Sequence, residues 1–407
     1  MFRSKAIVAN DKVSDKVNDK DSTARRYFVS RLLPWFGKNA RDLPWRRTRD
    51  PYAIWVSEIM LQQTQVKTVI PYWQRWMEAL PTIEALAKCR TDRVLKLWEG
   101  LGYYHRARNL QNAAQIVMQQ HNGTFPRAFE EVIELPGIGR YTAGAICSIA
   151  FNAPAPVLDG NAIRVLTRFF GIRGDPANKE TNNRLWALTA DLVHRACSFQ
   201  NGGTARNCSA FNQALMELGA TVCTVGIPNC GRCPVARACY ARRFECVEGL
   251  PELRPRRKAE QRSFVALVIE QRGRLFLRQR PAGVVNAHLW EFPNFEISLR
   301  DEPQKVAGSI VGGKVRHLCT IRHTITRYRI TLEAFCSQAS SNVDLSEGKW
   351  IPLRKAVSLA YPSAHRQVLE RALDQFNQRS RNDAQGRAAR DESSRRGRLS
   401  QSYVDRG

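Results

Sequence analysis

The chain of 407 residues carries 63 lysine and arginine residues against 37 aspartate and glutamate residues, which gives a formal charge of +26. This length exceeds what a single hydrophobic core normally supports, so we expect two domains flanked by tails. The basic excess predicts a polyanionic partner, with nucleic acid as the first candidate. No apolar run approaches the length needed to span a bilayer, and we therefore expect no membrane partner.

The two ends of the chain predict disordered tails. Residues 1–24 mix both charge signs without an apolar core segment, which argues against an export signal or an organelle transit peptide. Residues 377–407 are rich in arginine, serine and glycine and predict a basic disordered tail. The eleven cysteines are an odd number without a secretory signal. We therefore expect reduced thiols in an intracellular, reducing compartment, the cytoplasm or nucleoid of a bacterium.

Between residues 25 and 222, apolar residues recur at helical spacing, and residues typical of helix starts and ends separate the runs. Asp50 and Pro51 predict an N-cap and a first helical position, which places the polar residues of SEIMLQQT on a helix. Gly137 and Gly139 precede another helix in LPGIGRYTAGA. Glycines there let a turn approach a phosphate, whose oxygen atoms the free amides of the helix start bind. The alternative is a helix–turn–helix corner that needs glycine only for its bend.

The composition changes between residues 249 and 261, where proline and basic residues replace periodic apolar ones and predict a linker. Residues 262–376 then predict a second domain, with alternating β-rich runs such as FVALVIE and RITLEAF. A last helix is predicted through SAHRQVLERALDQF, with Ser363 near its start. A helical domain therefore precedes the linker, and a domain of strands with a final helix follows it.

Four cysteines lie within one short segment, with six, two and five residues between successive ones. Thiolates are soft ligands that select zinc or iron–sulfur clusters, and clusters are commonly held by four cysteines of one segment. Zinc is the alternative, because four thiolates also form structural zinc sites. Zinc ribbons usually carry two CxxC pairs, whereas the predicted loop over residues 223–248 has one. The predicted metal ligands are Cys223, Cys230, Cys233 and Cys239.

The conjunction of the glycine hairpin, the LDGN segment and the cysteine loop resembles the helix-hairpin-helix DNA glycosylases related to endonuclease III. Within that superfamily, the segments LPWRRTRDPYAIWVSEIMLQQT, GLGYYHRARNL and LWEFP are similar to the MutY family of adenine DNA glycosylases. The resemblance implies a mainly α N-terminal region, a six-helix barrel with an iron–sulfur cluster domain, and a C-terminal α+β Nudix-like domain. It also implies one [4Fe–4S] cluster held by the four cysteines.

Four catalytic residues are implied by the resemblance. Glu58 matches the general acid that protonates the flipped adenine, so its carboxyl must stay protonated near neutral pH. Asp159 matches the carboxylate that stabilises positive charge at the sugar C1′, and Asn161 lines the same site. Tyr141 stands where the endonuclease III branch has a lysine nucleophile, and tyrosine cannot form the imine that strand cleavage needs. We therefore predict a monofunctional glycosylase that leaves an abasic site.

The remaining site residues are implied to contact DNA. Gln213 matches the residue at the adenine edge, and Gln63 and Tyr103 match residues that enter the base stack when the nucleotide is extruded. In the family, a Phe-Ser-His loop recognises 8-oxoguanine opposite the adenine. The corresponding residues here are Ile325, Thr326 and Arg327, of which the arginine can donate to a guanine edge or a phosphate. The predicted partner is duplex DNA in which adenine faces 8-oxoguanine or guanine, bound by a monomer.

Two other functions fit parts of the pattern. One is a related helix-hairpin-helix glycosylase for another mismatched base such as thymine, against which Gln213 and the second domain argue. The other is a noncatalytic iron–sulfur DNA-binding protein, against which the presence of both Glu58 and Asp159 argues. Single residues also have ordinary structural roles open to them: Asp159 as an N-cap, and Tyr103 as a core aromatic.

Overall fold

The computed structural model describes residues 19–199, 206–255, 258–325, 327–338 and 347–378. Most of the two predicted tails lies outside these ranges, and the first helix already begins at Asp19. The chain divides into two compact units, and the predicted domain bounds stay a prediction beside this division. The first unit joins Met1–Gln63 to Ile116–Pro255, and the second joins Thr64–Gln115 to Arg256–Gly407.

Twelve α-helices occupy the described residues before the linker. Most of them form the first unit, while α3 to α5 and the first part of α6 belong to the second. The helices are α1 (Asp19–Asn39), α2 (Pro51–Leu61), α3 (Val66–Ala79), α4 (Ile83–Lys88), α5 (Thr91–Leu97), α6 (His105–Gln120), α7 (Phe129–Glu134), α8 (Arg140–Phe151), α9 (Gly160–Phe170), α10 (Lys179–Cys197), α11 (Asn207–Thr221) and α12 (Tyr240–Arg243).

Local signals in the sequence set the helix ends that carry the site. The carboxylate of Asp50 accepts hydrogen bonds from the amides of Tyr52 and Ala53 and begins α2, as predicted. Asp159 caps α9 in the same way through the amide of Ala162. Helix α9 ends at Gly171 in the left-handed conformation that glycine adopts without strain.

The core of the first unit lies among α1, α9, α10 and α11. Phe28 on α1 packs its ring 4.7 Å from Phe169 and 6.3 Å from Phe211, and all three rings are buried. Gly144 lets α8 approach the segment before Asp159, because a Cβ there would lie 2.1 Å from the carbonyl oxygen of Pro156. This packing holds α2, α8, α9 and α11 at the positions from which the site is built.

The second unit contains a seven-stranded mixed sheet in the order β3-β2-β1-β6-β5, with β4 beside β1 and β7 beside β2. The central strand β1 runs parallel to β6 and antiparallel to β2 and β4. The strands are β1 (Glu260–Gln271), β2 (Arg274–Gln279), β3 (Trp290–Glu291), β4 (Asn294–Ile297), β5 (Arg316–Ile325), β6 (Tyr328–Gln338) and β7 (Lys349–Pro352).

Helices cover both faces of this sheet, so alternate residues of β1 enter two separate cores. Val265 and Leu267 pack on the face that holds α13 (Pro303–Val311). Ala266 and Val268 pack on the opposite face, with α14 (Leu353–Ser358) and the helix over residues 363–378. A helical N-terminal region followed by a layered α+β domain confirms the predicted fold class.

Two further features bear on the sequence predictions. No helix in the described part of the chain combines the length and apolar character needed to cross a membrane. Cys197 and Cys208 form a disulfide with Cα atoms 5.0 Å apart, which corrects the expectation that all cysteines are free thiols. The pair forms because the end of α10 and the start of α11 come within disulfide range.

Candidate active site

Glu58 lies near the end of α2 and is only 5% exposed. Burial raises the pKa of its carboxyl to about 7, because the charged form loses its hydration. A hydrogen bond from the Tyr141 hydroxyl to Oε2, at 2.9 Å, opposes this shift. The charge of Asp159 raises the pKa further, and the charge of Arg46 lowers it. Near neutral pH the Glu58 carboxyl can therefore carry a proton and donate it.

Tyr141, in the first turn of α8, orients the Glu58 carboxyl. Burial and the charges of Glu58 and Asp159 hold the pKa of its hydroxyl well above the ordinary value. The hydroxyl therefore keeps its proton and donates to Glu58, and its oxygen also lies 3.2 Å from the sulfur of Met216 on α11. Tyr141 thus fixes the carboxyl from one side and rests on α11 from the other.

Asp159 is a second carboxyl with a different hydrogen-bonding environment. Its Oδ1 accepts from the amide of Ala162 at 2.7 Å, and its Oδ2 accepts from Nδ2 of Asn161 at 2.8 Å. Burial raises the pKa of Asp159 above its ordinary value, and these two hydrogen bonds, which favour the charged form, offset only part of that rise. The Glu58 carboxyl accepts one such hydrogen bond, from Tyr141, whereas Asp159 accepts two. The environments thus separate a proton donor, Glu58, from a carboxylate, Asp159.

Arg164 on α9 ties this site to the start of the cysteine loop. Its Nη2 donates to Oδ1 of Asn161 at 2.8 Å and to the Gly219 carbonyl at 2.7 Å. Its Nε donates to the Cys223 carbonyl at 2.7 Å. A Cβ on Gly219 would lie 2.6 Å from Cβ of Asn161, so α11 reaches this contact only with glycine at that position. The orientation of Asn161 therefore depends on the backbone beside the first predicted ligand.

A buried carboxylate on α11 holds the segment before α2. Glu217 is 1% exposed and accepts four hydrogen bonds, three from Arg41 and one from Arg46. Burial alone would raise its pKa, but the two guanidinium groups outweigh burial and lower it to about 2. The pair of arginines is thereby fixed, and Arg46 is one of the charges that act on Glu58.

Gln213 lies on α11 one helical turn before Met216, so the two side chains share a face. Its Nε2 donates to the hydroxyl of Ser209 at 3.1 Å. The structure therefore brings the predicted adenine contact to the helix that supports Tyr141. The carboxamide oxygen is the group that remains to accept from an exocyclic amine.

The predicted glycine hairpin joins α7 to α8. Gly137 adopts φ +80°, which only glycine tolerates freely, and Gly139 occupies the N-cap position of α8. Both glycines are exposed. Gly139, at the N-cap, has no side chain that could cap the first turn of α8, so the amides there suit an anion.

The two predicted wedge residues both have left-handed backbones. Gln63, just after α2, is exposed with φ +58°, and Tyr103, just before α6, is 38% exposed with φ +46°. Positive φ is uncommon in residues other than glycine and is concentrated at functional sites, where the surroundings hold the strained backbone.

The predicted 8-oxoguanine loop is the tip of the β5–β6 hairpin, in which Ile325 pairs with Tyr328. Arg327 is exposed; its Nη2 lies 3.1 Å from the Tyr328 hydroxyl and 3.2 Å from Oε1 of Glu260. The guanidinium is therefore held over the tip rather than extended into solvent. Thr326 lies outside the described residues.

The four predicted ligand cysteines are free thiols that are partly buried. Cys223, Cys233 and Cys239 pack against the core of the first unit. The pKa of Cys233 is raised to about 12, mainly by burial and in smaller part by the other three thiols. Among the described residues, no three ligand side chains converge at distances suited to a single metal ion.

Sequence reasoning missed the supporting residues Arg46, Arg164, Met216 and Glu217. The role of Glu217 could have been suspected from the sequence, because its carboxylate lies on an apolar face of the predicted helix CSAFNQALMELGA. The role of Arg164 could not, since an arginine on a helix is ordinarily a solvated residue.

Comparison with known proteins places these features in a family. The HhH-GPD superfamily base excision DNA repair protein family matches residues 56–191, and the NUDIX domain matches residues 264–371. The adenine DNA glycosylase of Homo sapiens is 37% identical over 371 residues, which cover 76% of this chain and 66% of that protein. The mouse protein of the same name is 34% identical over 84% of this chain and 77% of its own length.

Two further similarities concern a bacterial protein and a solved structure. The adenine DNA glycosylase of Buchnera aphidicola subsp. Acyrthosiphon pisum is 37% identical over 67% of this chain and 75% of its own. The structure of a thermostable thymine-DNA glycosylase aligns with a TM-score of 0.49 and 30% identity, covering 56% of this chain and all of that one.

The helical hairpin, the buried carboxyl pair and the family match define a helix-hairpin-helix base excision DNA repair protein with a NUDIX domain. Full-length relatives share more than 30% identity over three quarters of their length. The chain belongs to the adenine DNA glycosylase family, which confirms the resemblance predicted from its motifs.

Proposed function

We propose that the chain is a monofunctional DNA N-glycosylase that excises adenine opposite 8-oxoguanine or guanine in base excision repair. Family membership supports the N-glycosylase activity and the choice of adenine. The observation that carries the mechanism is the pair of carboxyls of Glu58 and Asp159. Burial raises the pKa of Glu58 to about 7, whereas Asp159 accepts two hydrogen bonds that favour its charged form and offset part of the rise that burial causes.

The two carboxyls have different roles in breaking the glycosidic bond. After the nucleotide is extruded, Glu58 transfers its proton to a ring nitrogen of adenine, and the bonding electrons leave with the base. The ionised carboxylate of Asp159 stabilises the positive charge that develops at C1′. Water then adds to C1′ and its released proton restores Glu58. Asn161 holds Asp159, and Tyr141 holds Glu58, in the geometry this sequence requires.

The absence of an amine nucleophile at position 141 supports the monofunctional outcome. The Tyr141 hydroxyl keeps its proton, since its pKa lies well above the ordinary value, and it is directed at Glu58. An imine with the sugar aldehyde requires a primary amine. The proposed product is therefore an intact strand with an abasic site.

Phosphate contacts on the duplex are proposed at the glycine hairpin and at the cysteine loop. The uncapped amides of α8 suit one phosphate. Exposed arginines in and beside the loop suit others. These are Arg232, Arg237, Arg242 and Arg243. That the protein acts as a monomer in a bacterial cytoplasm or nucleoid stays a prediction.

Recognition of the opposing base is proposed at the tip of the β5–β6 hairpin. Ile325 supplies apolar surface, and Arg327 supplies donors that match a guanine edge or a phosphate. Arg327 lies within 3.1 Å of the Tyr328 hydroxyl and 3.2 Å of Glu260 at the exposed tip, where its donors are accessible to DNA.

We further propose that Cys223, Cys230, Cys233 and Cys239 hold one [4Fe–4S] cluster. The fit rests on four mutually interacting thiols that lie partly buried against the core. The loop has one CxxC pair, whereas zinc ribbons usually carry two, so the spacing favours the cluster over zinc. When bound, the cluster would shape the basic loop, and no chemical step is assigned to it.

Replacing Cys233 with serine is expected to remove the visible absorbance and most of the iron, because a hydroxyl is a poor ligand for iron–sulfur clusters. The wild type should contain about four irons per chain. Cys89→Ser, at a free and partly buried cysteine outside the loop, is the matched control and should keep its iron. Isolation of the wild type with one zinc per chain and no iron would contradict the cluster.

The proposed function is tested by single-turnover base release from duplexes with adenine opposite 8-oxoguanine, adenine opposite guanine, and thymine opposite guanine. We expect adenine release from the first two, fastest opposite 8-oxoguanine, and strand breaks only after alkali. Breaks without alkali would overturn the monofunctional assignment. Preferential thymine release would overturn the base assignment, and equal rates on the two adenine duplexes would overturn the role of the hairpin tip.

A further inference from the structure

The loop that carries Tyr103 is held in a strained conformation. This segment, residues 99–104, is called the Tyr103 loop. Gly100, Gly102 and Tyr103 have φ values of +102°, +70° and +46°. Glycine adopts such values freely, but tyrosine does not, so Tyr103 keeps this backbone only where neighbouring contacts determine it.

One set of contacts comes from the flanking helices. Nη2 of Arg106 donates to the carbonyls of Leu101 and Gly102, at 3.0 and 3.1 Å. The indole nitrogen of Trp98 donates to the same Gly102 carbonyl at 3.1 Å. These hydrogen bonds pair the backbone carbonyls in the middle of the loop. The two ends of the loop, at Glu99 and Tyr104, make their contacts with other residues.

The second set comes from the NUDIX domain, in the same compact unit. Arg366 donates from Nε and Nη2 to the carboxylate of Glu99, at 2.8 to 2.9 Å. The amide of Tyr361 donates to the same Oε1 at 2.9 Å. The Tyr104 hydroxyl donates to the Tyr361 carbonyl at 3.0 Å and accepts from the amide of Gly100 at 3.2 Å. Both ends of the Tyr103 loop are therefore bound by residues 361 and 366.

These contacts are buried and well paired. The side chains of Glu99 and Arg366 are 14% and 17% exposed, and Tyr104 and Tyr361 are 2% and 0% exposed. A bidentate arginine–carboxylate pair with little solvent contact has a defined geometry, unlike a surface ion pair. Breaking this ion pair would shift the ends of the Tyr103 loop. Because Tyr103 lies in that loop, the side chain that is proposed to enter the base stack would shift as well.

We propose that Arg366 and Tyr361 are positioning residues for base extrusion: through Glu99 and Tyr104 they hold the Tyr103 loop in its strained conformation. The proposal rests on the proposed function, in which Tyr103 enters the base stack. It gives the NUDIX domain a second task besides reading the opposing base. The NUDIX domain positions Tyr103 regardless of which base lies opposite the adenine.

The test is a double-mutant cycle between residues 366 and 103. Single-turnover adenine release is compared for Arg366→Gln in the wild-type background and in a Tyr103→Ala background. We expect a loss of about 10-fold to 100-fold in the first, as a small displacement of a positioned group produces. We expect less than about a twofold further loss in the second, because the residue through which Arg366 acts is gone. Equal losses in both backgrounds would overturn the proposal.

Two further variants separate positioning from simple loss of folding. Tyr104→Phe removes only the hydroxyl that joins Gly100 to Tyr361, and it should behave as Arg366→Gln does in the same cycle. Arg366→Lys keeps the charge but not the bidentate geometry and should recover part of the rate. Arg371→Gln is the matched control, since Arg371 is exposed on the same helix, and it should keep the wild-type rate.

Amide hydrogen exchange of residues 99–104 provides a readout independent of activity. Arg366→Gln and Tyr104→Phe should speed exchange in the Tyr103 loop while leaving β1 and β6 protected. Unchanged exchange in the loop would overturn the proposal. A wild type that releases no base would overturn the proposed function instead, and the exchange result would still decide whether the NUDIX domain holds the loop.

Discussion

Replacing Glu58 with glutamine is expected to lower the rate of adenine release by about 10²-fold to 10⁴-fold, the range for loss of a general acid. Glutamine fills the same volume, and its carbonyl oxygen accepts the hydrogen bond from Tyr141, but it has no acidic proton to give to the base. Duplex binding should therefore stay close to that of the wild type. Single-turnover kinetics and a binding titration on the same duplex measure the two quantities.

The pH dependence of the wild type gives an independent check on this assignment. A general acid works in its protonated form, and burial raises the pKa of Glu58 to about 7. The rate of base release should therefore fall as the pH rises through about 7, and it should also fall at low pH, where Asp159 takes up a proton. A rate that increases across the same range would show that the ionised form of Glu58 is the active one.

The same pKa shift predicts the effect of Glu58→Gln on stability. Folded Glu58 holds its proton up to a pH of about 7, whereas an unfolded glutamate loses it near a pH of about 4.3. Since the folded state binds more protons in that window, the wild type loses stability as the pH rises through it, by up to about 4 kcal/mol. Glu58→Gln avoids this loss and should unfold at higher urea than the wild type at pH of about 8.

The control for both measurements is Glu370→Gln, which changes an exposed carboxylate. Its rate and stability should match those of the wild type. A Glu58→Gln variant that retained the wild-type rate would remove Glu58 from the mechanism, whereas a wild type that binds the duplex without releasing adenine would favour the noncatalytic DNA-binding function.

Replacing Glu217 with glutamine is expected to destabilise the first unit by about 3–5 kcal/mol, the usual effect of removing one partner from a buried ion pair. Glu217 is 1% exposed and accepts from both Arg41 and Arg46. The variant leaves two guanidinium groups without their carboxylate. Urea unfolding followed by far-UV circular dichroism reports on this mainly helical unit.

The pH dependence of wild-type stability follows from the same residue. The pKa of folded Glu217 is lowered to about 2, below that of an unfolded glutamate, so the ion pair stabilises the fold at neutral pH. That contribution should be lost as the pH falls from about 4.3 to about 2. Glu131→Gln, at an exposed carboxylate on α7, is the control and should change stability by less than about 0.5 kcal/mol. An equal effect of the two substitutions would contradict the buried pair.

The sequence alone determined the features that depend on neighbouring residues. Asp50 and Pro51 predicted the start of α2, and the glycines of LPGIGR predicted the hairpin before α8, because caps and turns are made within a few residues. The spacing of the four cysteines predicted a metal loop for the same reason. Together with the longer motifs, these local patterns identified the family.

Only the tertiary structure decided how the site functions. The pKa of Glu58 depends on burial that α8 and α9 complete, and Glu217 meets Arg41 across 176 residues of sequence. Arg366 meets Glu99 across 267 residues. Desolvation and buried ion pairs arise from packing between distant segments, so no local pattern encodes them. Motifs therefore predicted which residues take part, and packing set their protonation, their partners and their positions.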